Sequence, residues 1–240
     1  GGEFLVGDYR SFRRAAHLRY VGLPGGDRAI REPWRMAVAH LADAGADFTP
    51  LRARILQDEI RFLEKMLERR LNTPMTSSAG RLFDAVASVA GVRDRVSYEG
   101  QAAVELEWLA ERTEADGVYP FELETTPEGP LIVDTRPLAL AIAEDTMRGV
   151  GAATIARRFH STLVDVIAAV CGRIRAETRL NAVVLSGGVF LNALLTREAI
   201  SRLCKDDFHV YRHHRVPPND GGLSLGQLAV AAAQSGERPA

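Results

Sequence analysis

The segment from Ala182 to Asn192, AVVLSGGVFLN, most constrains what this chain can fold into. An apolar run of this kind reads as a strand. Gly187 and Gly188 follow it, and Ala193 to Ile200 reads as a helix. Strand, glycine turn and helix are the parts of an α/β unit. With no Cβ at the turn, backbone can approach a ligand closely. The helix start then offers unpaired N–H groups to an anion. Double glycines also serve plain packing turns, so this segment alone leaves nucleotide binding and packing both open.

Composition narrows the function classes. Of 240 residues, 46% are hydrophobic and 25% charged, enough to bury one large core or two smaller ones. A net charge of −1 gives no general attraction for nucleic acid or an acidic membrane surface. Arg13-Arg14 and Arg69-Arg70 read as local, solvated pairs. No apolar run has the length that spans a bilayer, and no signal peptide is visible. Cys171 and Cys204 form no CxxC pair and each lies in an apolar helical pattern, so both read as buried thiols. Few cysteines and no export signal favour the cytoplasm. The chain starts at Gly1-Gly2-Glu3 rather than methionine, which points to a piece of something longer.

Periodicity and punctuation place strands at Gly2 to Val6 and Ala15 to Val21, separated by Gly7-Asp8. Asp27 is a candidate N-cap for a helix through Met36 to Leu41, with Pro33 near its start. One helix is expected over Arg52 to Leu71. Another, over Gly80 to Ala90, is capped by Thr76-Ser77-Ser78, and Gly100-Gln101 opens a third through Trp108-Leu109. A hairpin turns at Pro127-Glu128-Gly129 between Phe121 to Thr125 and Leu131 to Thr135. Helices follow over Pro137 to Met147 and Ala152 to Arg175, then a strand at Phe208 to Tyr211 and a last helix over Gly222 to Ala233. Ser235 to Ala240 reads as a disordered tail. The order suits an α/β domain carrying a helical insertion.

Several side chains could carry chemistry. Asn192 can donate and accept, which suits a base or ribose, or it merely caps its own helix. Asp84 sits on a helix that is apolar on most sides, so its carboxylate is paired or faces a cleft, unless it lies on an ordinary exposed helix face. Tyr98-Glu99-Gly100-Gln101 opens the helix that carries Glu105, toward the same cleft. Asp220, ahead of Gly221-Gly222, is a metal ligand or an N-cap. His213 and His214 are neighbours on an extended segment and point to opposite faces, so they do not share one ion. His17, His40 and His160 read as structural. No P-loop, GxGxxG or GxSxG occurs. Ser186 has no histidine placed by sequence to activate it, which argues against a hydrolase.

Together these motifs resemble the C-terminal part of the HypF family, the hydrogenase maturation carbamoyltransferases. The resemblance rests on GGEF at Gly1, LPGGD at Leu23, REPWRMA at Arg31, TSSAGRLFDAVA at Thr76, YEGQAA at Tyr98, LSGGVFLN at Leu185 and PPNDGGLSLGQ at Pro217. It implies an actin-like ATPase (RNase H-like) α/β fold, like that of the tRNA threonylcarbamoyl transferases and antibiotic O-carbamoyltransferases. It also implies three parts: residues 1–27 ending one RNase H-like half, residues 28–115 as a helical insertion, and residues 116–240 as the C-terminal half. The implied chemistry uses carbamoyl phosphate and ATP. An upstream domain makes carbamoyl adenylate, and the group passes to the C-terminal cysteine of the acceptor HypE.

By resemblance, Asp84 would hold the ribose or adenylate, and Gly100, Gln101 and Glu105 would line the nucleotide. Gly187, Gly188 and Asn192 would form the adenosine and phosphate wall. Asp220 would be the last ligand of an iron or zinc ion. The family's metal-binding HxxxH motif precedes GGEF, so the 240 residues alone are expected to lack transferase activity. An actin-like small-molecule kinase, another O- or N-carbamoyltransferase and a non-catalytic docking module are the competing readings.

Overall fold

A computed structural model describes residues 1–127 and 129–236. The chain opens as a hairpin of β1 (Glu3–Gly7) and β2 (Phe12–Leu18). The Asp8 carboxylate closes its turn by accepting from the Arg10 and Ser11 amides at 2.8 and 3.0 Å. β2 begins earlier than its hydropathy suggests, because Phe12, Arg13 and Arg14 are exposed yet pair with β1. β3 (Val21–Gly22) pairs antiparallel with β4 (Met75–Thr76). β5 (Glu122–Glu124) and β6 (Leu131–Asp134) are antiparallel, and β6 lies parallel to β2, giving a four-stranded sheet in the order β1-β2-β6-β5. The turn residue Glu128 lies outside the described residues.

Helices α1 (Arg28–Arg31), α2 (Pro33–Ala44), α3 (Thr49–Arg52), α4 (Gln57–Glu68), α5 (Ala79–Val89) and α6 (Gln101–Glu111) follow β3. Pro33 takes the first turn of α2, where its missing N–H is no loss. Asp27 precedes α1 but makes no side-chain cap. The single helix expected over Arg52 to Leu71 is broken. Leu56 is extended (φ −63°, ψ 137°), and Arg54 anchors the break by donating to the carbonyls of Pro50 and Ser88 and to Asp94. These are tertiary contacts that outweigh the local helical pattern.

α7 (Arg136–Met147) and α8 (Ala152–Thr178) lead to β7 (Ala182–Leu185), α9 (Ala193–Lys205) and β8 (His209–Arg212). β7 and β8 are parallel, so this is the expected strand–turn–helix–strand unit. One apolar core runs from Ala16 to Leu195, with Trp34, Phe83 and Phe159 fully inside it. α10 (Leu223–Ser235) ends the described chain and buries none of its residues. The expected disordered tail therefore begins inside a helix at Ser235, and residues 237–240 lie outside the description. Cys171 is buried as expected, but Cys204 is exposed, because it falls on the outer side of α9. No helix among the described residues is long and apolar enough to cross a membrane.

Candidate nucleotide site

α5 packs on α6, α6 on α8, and α8 on α9, so the helices that carry the candidate residues form one contiguous set. Ser78 starts α5 by accepting from the Arg81 amide, as a serine N-cap does. Asp84 then falls on the inward side, 2% exposed, and its nearest charge is Arg81 at 3.0 Å. Its Oδ2 is buried without a hydrogen-bond partner. Burial pushes the Asp84 carboxyl up to about 6, with Arg81 opposing the rise and Glu99 adding to it.

Gly100 stands at the start of α6 with φ +83°, a conformation that favours glycine. Gln101 is not free to face a ligand with its whole amide. Its oxygen accepts from the Ser97 amide and hydroxyl, and its nitrogen donates to Glu105 at 3.0 Å. Arg93 also forks onto Glu105 at 2.8 and 2.7 Å. Partial burial raises the Glu105 carboxyl, but Arg93 and Gln101 outweigh it, so the net shift is downward and the group stays ionised.

Gly187 has φ +101°, and a Cβ there would meet nothing within 4 Å, so the turn is open on that side. Its amide donates to the Pro218 carbonyl at 2.7 Å, which ties the glycine turn to the loop of Asp220. A Cβ added at Gly188 would meet Asn219 at ordinary contact distance. Asn192 caps α9 by accepting from the Leu195 amide at 2.8 Å, and its nitrogen lies 2.9 Å from His160 Nε2.

The N–H groups of α9 are not open to an incoming anion. Glu107, on α6, accepts from the amides of Ala193 and Leu194 at 2.6 and 3.1 Å. With Leu195 taken by Asn192, the first turn is satisfied by the chain's own side chains. Sequence reasoning missed Glu107 because it stands 86 residues from its partner. It missed His160 for the same reason, although that imidazole also packs edge-on against Phe83, next to Asp84, with centroids 5.5 Å apart.

One histidine expectation changes. His213 Nε2 lies 2.9 Å from Ser186 Oγ, so the serine does have a histidine partner, supplied by the strand pairing that brings β8 beside β7. Asp220 is exposed in a 3-10 turn that Asn219 caps through the Gly221 amide. Among the described residues no three His, Cys, Asp or Glu side chains gather as a metal site. One exposed carboxylate does not hold iron or zinc, so the metal implied by resemblance finds at most a single ligand here.

A family profile described as "Carbamoyltransferase, Kae1-like Domain, second subdomain" matches residues 1–227. The chain belongs to the HypF carbamoyltransferase family. It is 38% identical to Carbamoyltransferase HypF2 of Cupriavidus necator over 96% of its own length and 31% of that protein. Carbamoyltransferase HypF of Rhizobium leguminosarum bv. viciae is 40% identical over 96% of this chain and 29% of the relative. The chain thus spans about 30% of such relatives. Full-length HypF in its phosphate- and nucleotide-bound form superposes with a TM-score of 0.90 at 38% identity, covering 97% of this chain and 30% of that one. T. kodakarensis HypF superposes at 0.81 with 28% identity, over 98% of this chain and 32% of that one. The mixed helix and sheet architecture is therefore that of the Kae1-like carbamoyltransferase domain, in keeping with an actin-like, RNase H-like fold.

Proposed function

We propose that this chain is the C-terminal nucleotide-binding segment of a carbamoyltransferase. The enzyme uses carbamoyl phosphate and ATP, via carbamoyl adenylate, to carbamoylate the C-terminal cysteine of a HypE-like acceptor during [NiFe]-hydrogenase maturation. Asp84 carries the reading. It is a buried, under-bonded carboxylate on the wall of the contiguous helix set, and a ribose hydroxyl supplies the donor it lacks. Family membership and a structural neighbour described as nucleotide-bound support it.

In this reading Gly100 and Gly187 offer backbone, Gln101 and Glu105 stiffen the α6 wall, and Asn192 holds the start of α9 in place. Asp220 is proposed as one ligand of an iron or zinc ion. Such an ion is a Lewis acid toward a carbonyl. The division at residues 27 and 115 is part of the same proposal, as is a cytoplasmic location.

The test is a chimera. This chain replaces the corresponding segment of the Cupriavidus necator relative, and transfer from carbamoyl phosphate to an acceptor with a C-terminal cysteine is followed by mass. Transfer that disappears with Asp84→Asn is the expected result. A folded chimera that transfers equally well with Asp84→Asn contradicts the assignment.

A further inference from the structure

We propose that the cleft between α3 and α4 binds a small zwitterion, an amino acid with an apolar side chain. A cavity of about 280 Å³ opens there, and none of the nucleotide candidates lines it. The space is just under that of a drug-sized pocket, which suits a smaller molecule.

The broken helix makes the cleft. Arg54 tethers the residues after α3 to the Pro50 and Ser88 carbonyls, Leu56 turns extended, and α4 starts afresh. Gln57, Ile60, Arg61 and Glu64 then recur at i, i+3, i+4 and i+7, so they share one face of α4, and all four line the cavity. Ile60, 3% exposed, and the half-buried Phe48 supply its apolar lining.

The charges around that lining are under-used. Arg61 reaches only Asp58, at 3.7 Å, and that carboxylate is 95% exposed. Arg52 touches Asp47 through one nitrogen at 3.3 Å, while the other Asp47 oxygen accepts from the Thr49 amide at 2.6 Å. Arg93, by contrast, spends two nitrogens on Glu105. Arg52 and Arg61 keep open forks of the kind that take a carboxylate. Glu64 joins no ion pair or hydrogen bond among the described residues.

Three residues along a helix are a rise of about 4.5 Å, so an anion site at Arg61 and a cation site at Glu64 stand side by side. The carboxylate and ammonium of one amino acid bridge that spacing. A simple anion would gain the arginines and be repelled by Glu64, and a simple cation would meet the reverse. A zwitterion uses both, and its apolar side chain covers Phe48 and Ile60. Arg52 and Arg61 are 53% and 62% exposed, so solvent screens the attraction and binding is expected in the millimolar range.

The experiment follows amide spectra of the nitrogen-15-labelled 240-residue chain during titration with L-leucine, leucinamide and N-acetyl-leucine. The amide lacks the carboxylate and the acetyl compound lacks the ammonium. Dispersed spectra establish that each protein is folded. Leucine should shift the amides of residues 46–48 and of α4, saturably. Each blocked compound should bind about two- to fivefold more weakly, the worth of one exposed charge contact. Arg61→Met should erase the preference for leucine over leucinamide, and Glu64→Gln the preference over N-acetyl-leucine.

A folded chain whose α4 amides do not respond to leucine overturns the proposal. So do blocked compounds that bind as well as leucine, or variants that weaken all three ligands equally. None of these outcomes depends on the nucleotide reading.

Discussion

The Asn192 side-chain nitrogen lies 2.9 Å from Nε2 of His160, and this contact fixes both groups. His160 Nδ1 is 2.7 Å from the Ala156 carbonyl, which only accepts, so Nδ1 carries the proton. Nε2 is therefore bare and accepts from Asn192. The Asn192 oxygen is left to cap Leu195, as observed. A buried neutral imidazole thus sets the orientation of an amide on the glycine-turn wall.

A pH dependence follows. Burial depresses the His160 imidazole to about 4, and burial does the same to His40. The unfolded chain takes up these protons near pH 6.5, before the folded one does. Their contribution is whole above about pH 6.5 and is lost as pH falls toward about 4, by at most about 3 kcal/mol each. Asp84 acts in the opposite sense, because its folded carboxyl is raised from 3.8 to about 6 and its contribution shrinks as pH rises through that range. Two histidines outweigh one aspartate, so urea midpoints should fall between about pH 7 and about pH 5. His160→Gln and His40→Gln should each flatten the slope. A slope unchanged in both variants contradicts the neutral, buried state described here.

Glu107 ties α6 to α9 through two backbone amides. Glu107→Ala removes that cap and a favourable charge at a helix start, at a cost of about 1–2 kcal/mol. Glu107→Gln keeps an acceptor and should lose about half as much. Urea denaturation measures both. Equal midpoints for Glu107→Ala and the unsubstituted chain would remove the tie.

The two cysteines should differ in reactivity. Burial pushes the Cys171 thiol up to about 11, whereas Cys204 is exposed. A maleimide under native conditions is expected to label Cys204 alone, read by peptide mass mapping. Labelling of Cys171 at a similar rate would show that α8 does not close over it.

Local pattern carried much of the architecture. The glycine turn, the Ser78 cap and the long α8 are written in residues close in sequence, and each formed where expected. Contacts between distant segments were not legible. Arg54 breaks a helix by bonding residues 34 and 40 positions away, and His213 reaches Ser186 across 27. Periodicity is a property of one segment and says nothing of which segments meet. The same holds for the α9 start, which reads as an open anion cradle until Glu107 arrives from another helix.

The most direct test of the nucleotide half-site is titration of the 240-residue chain with ATP and AMP, beside Asp84→Asn. The account predicts saturable binding that weakens at least about tenfold in the variant, the loss expected when a hydrogen bond to a charged group is removed. Binding unchanged by Asp84→Asn, or no binding to a chain shown to be folded, contradicts it.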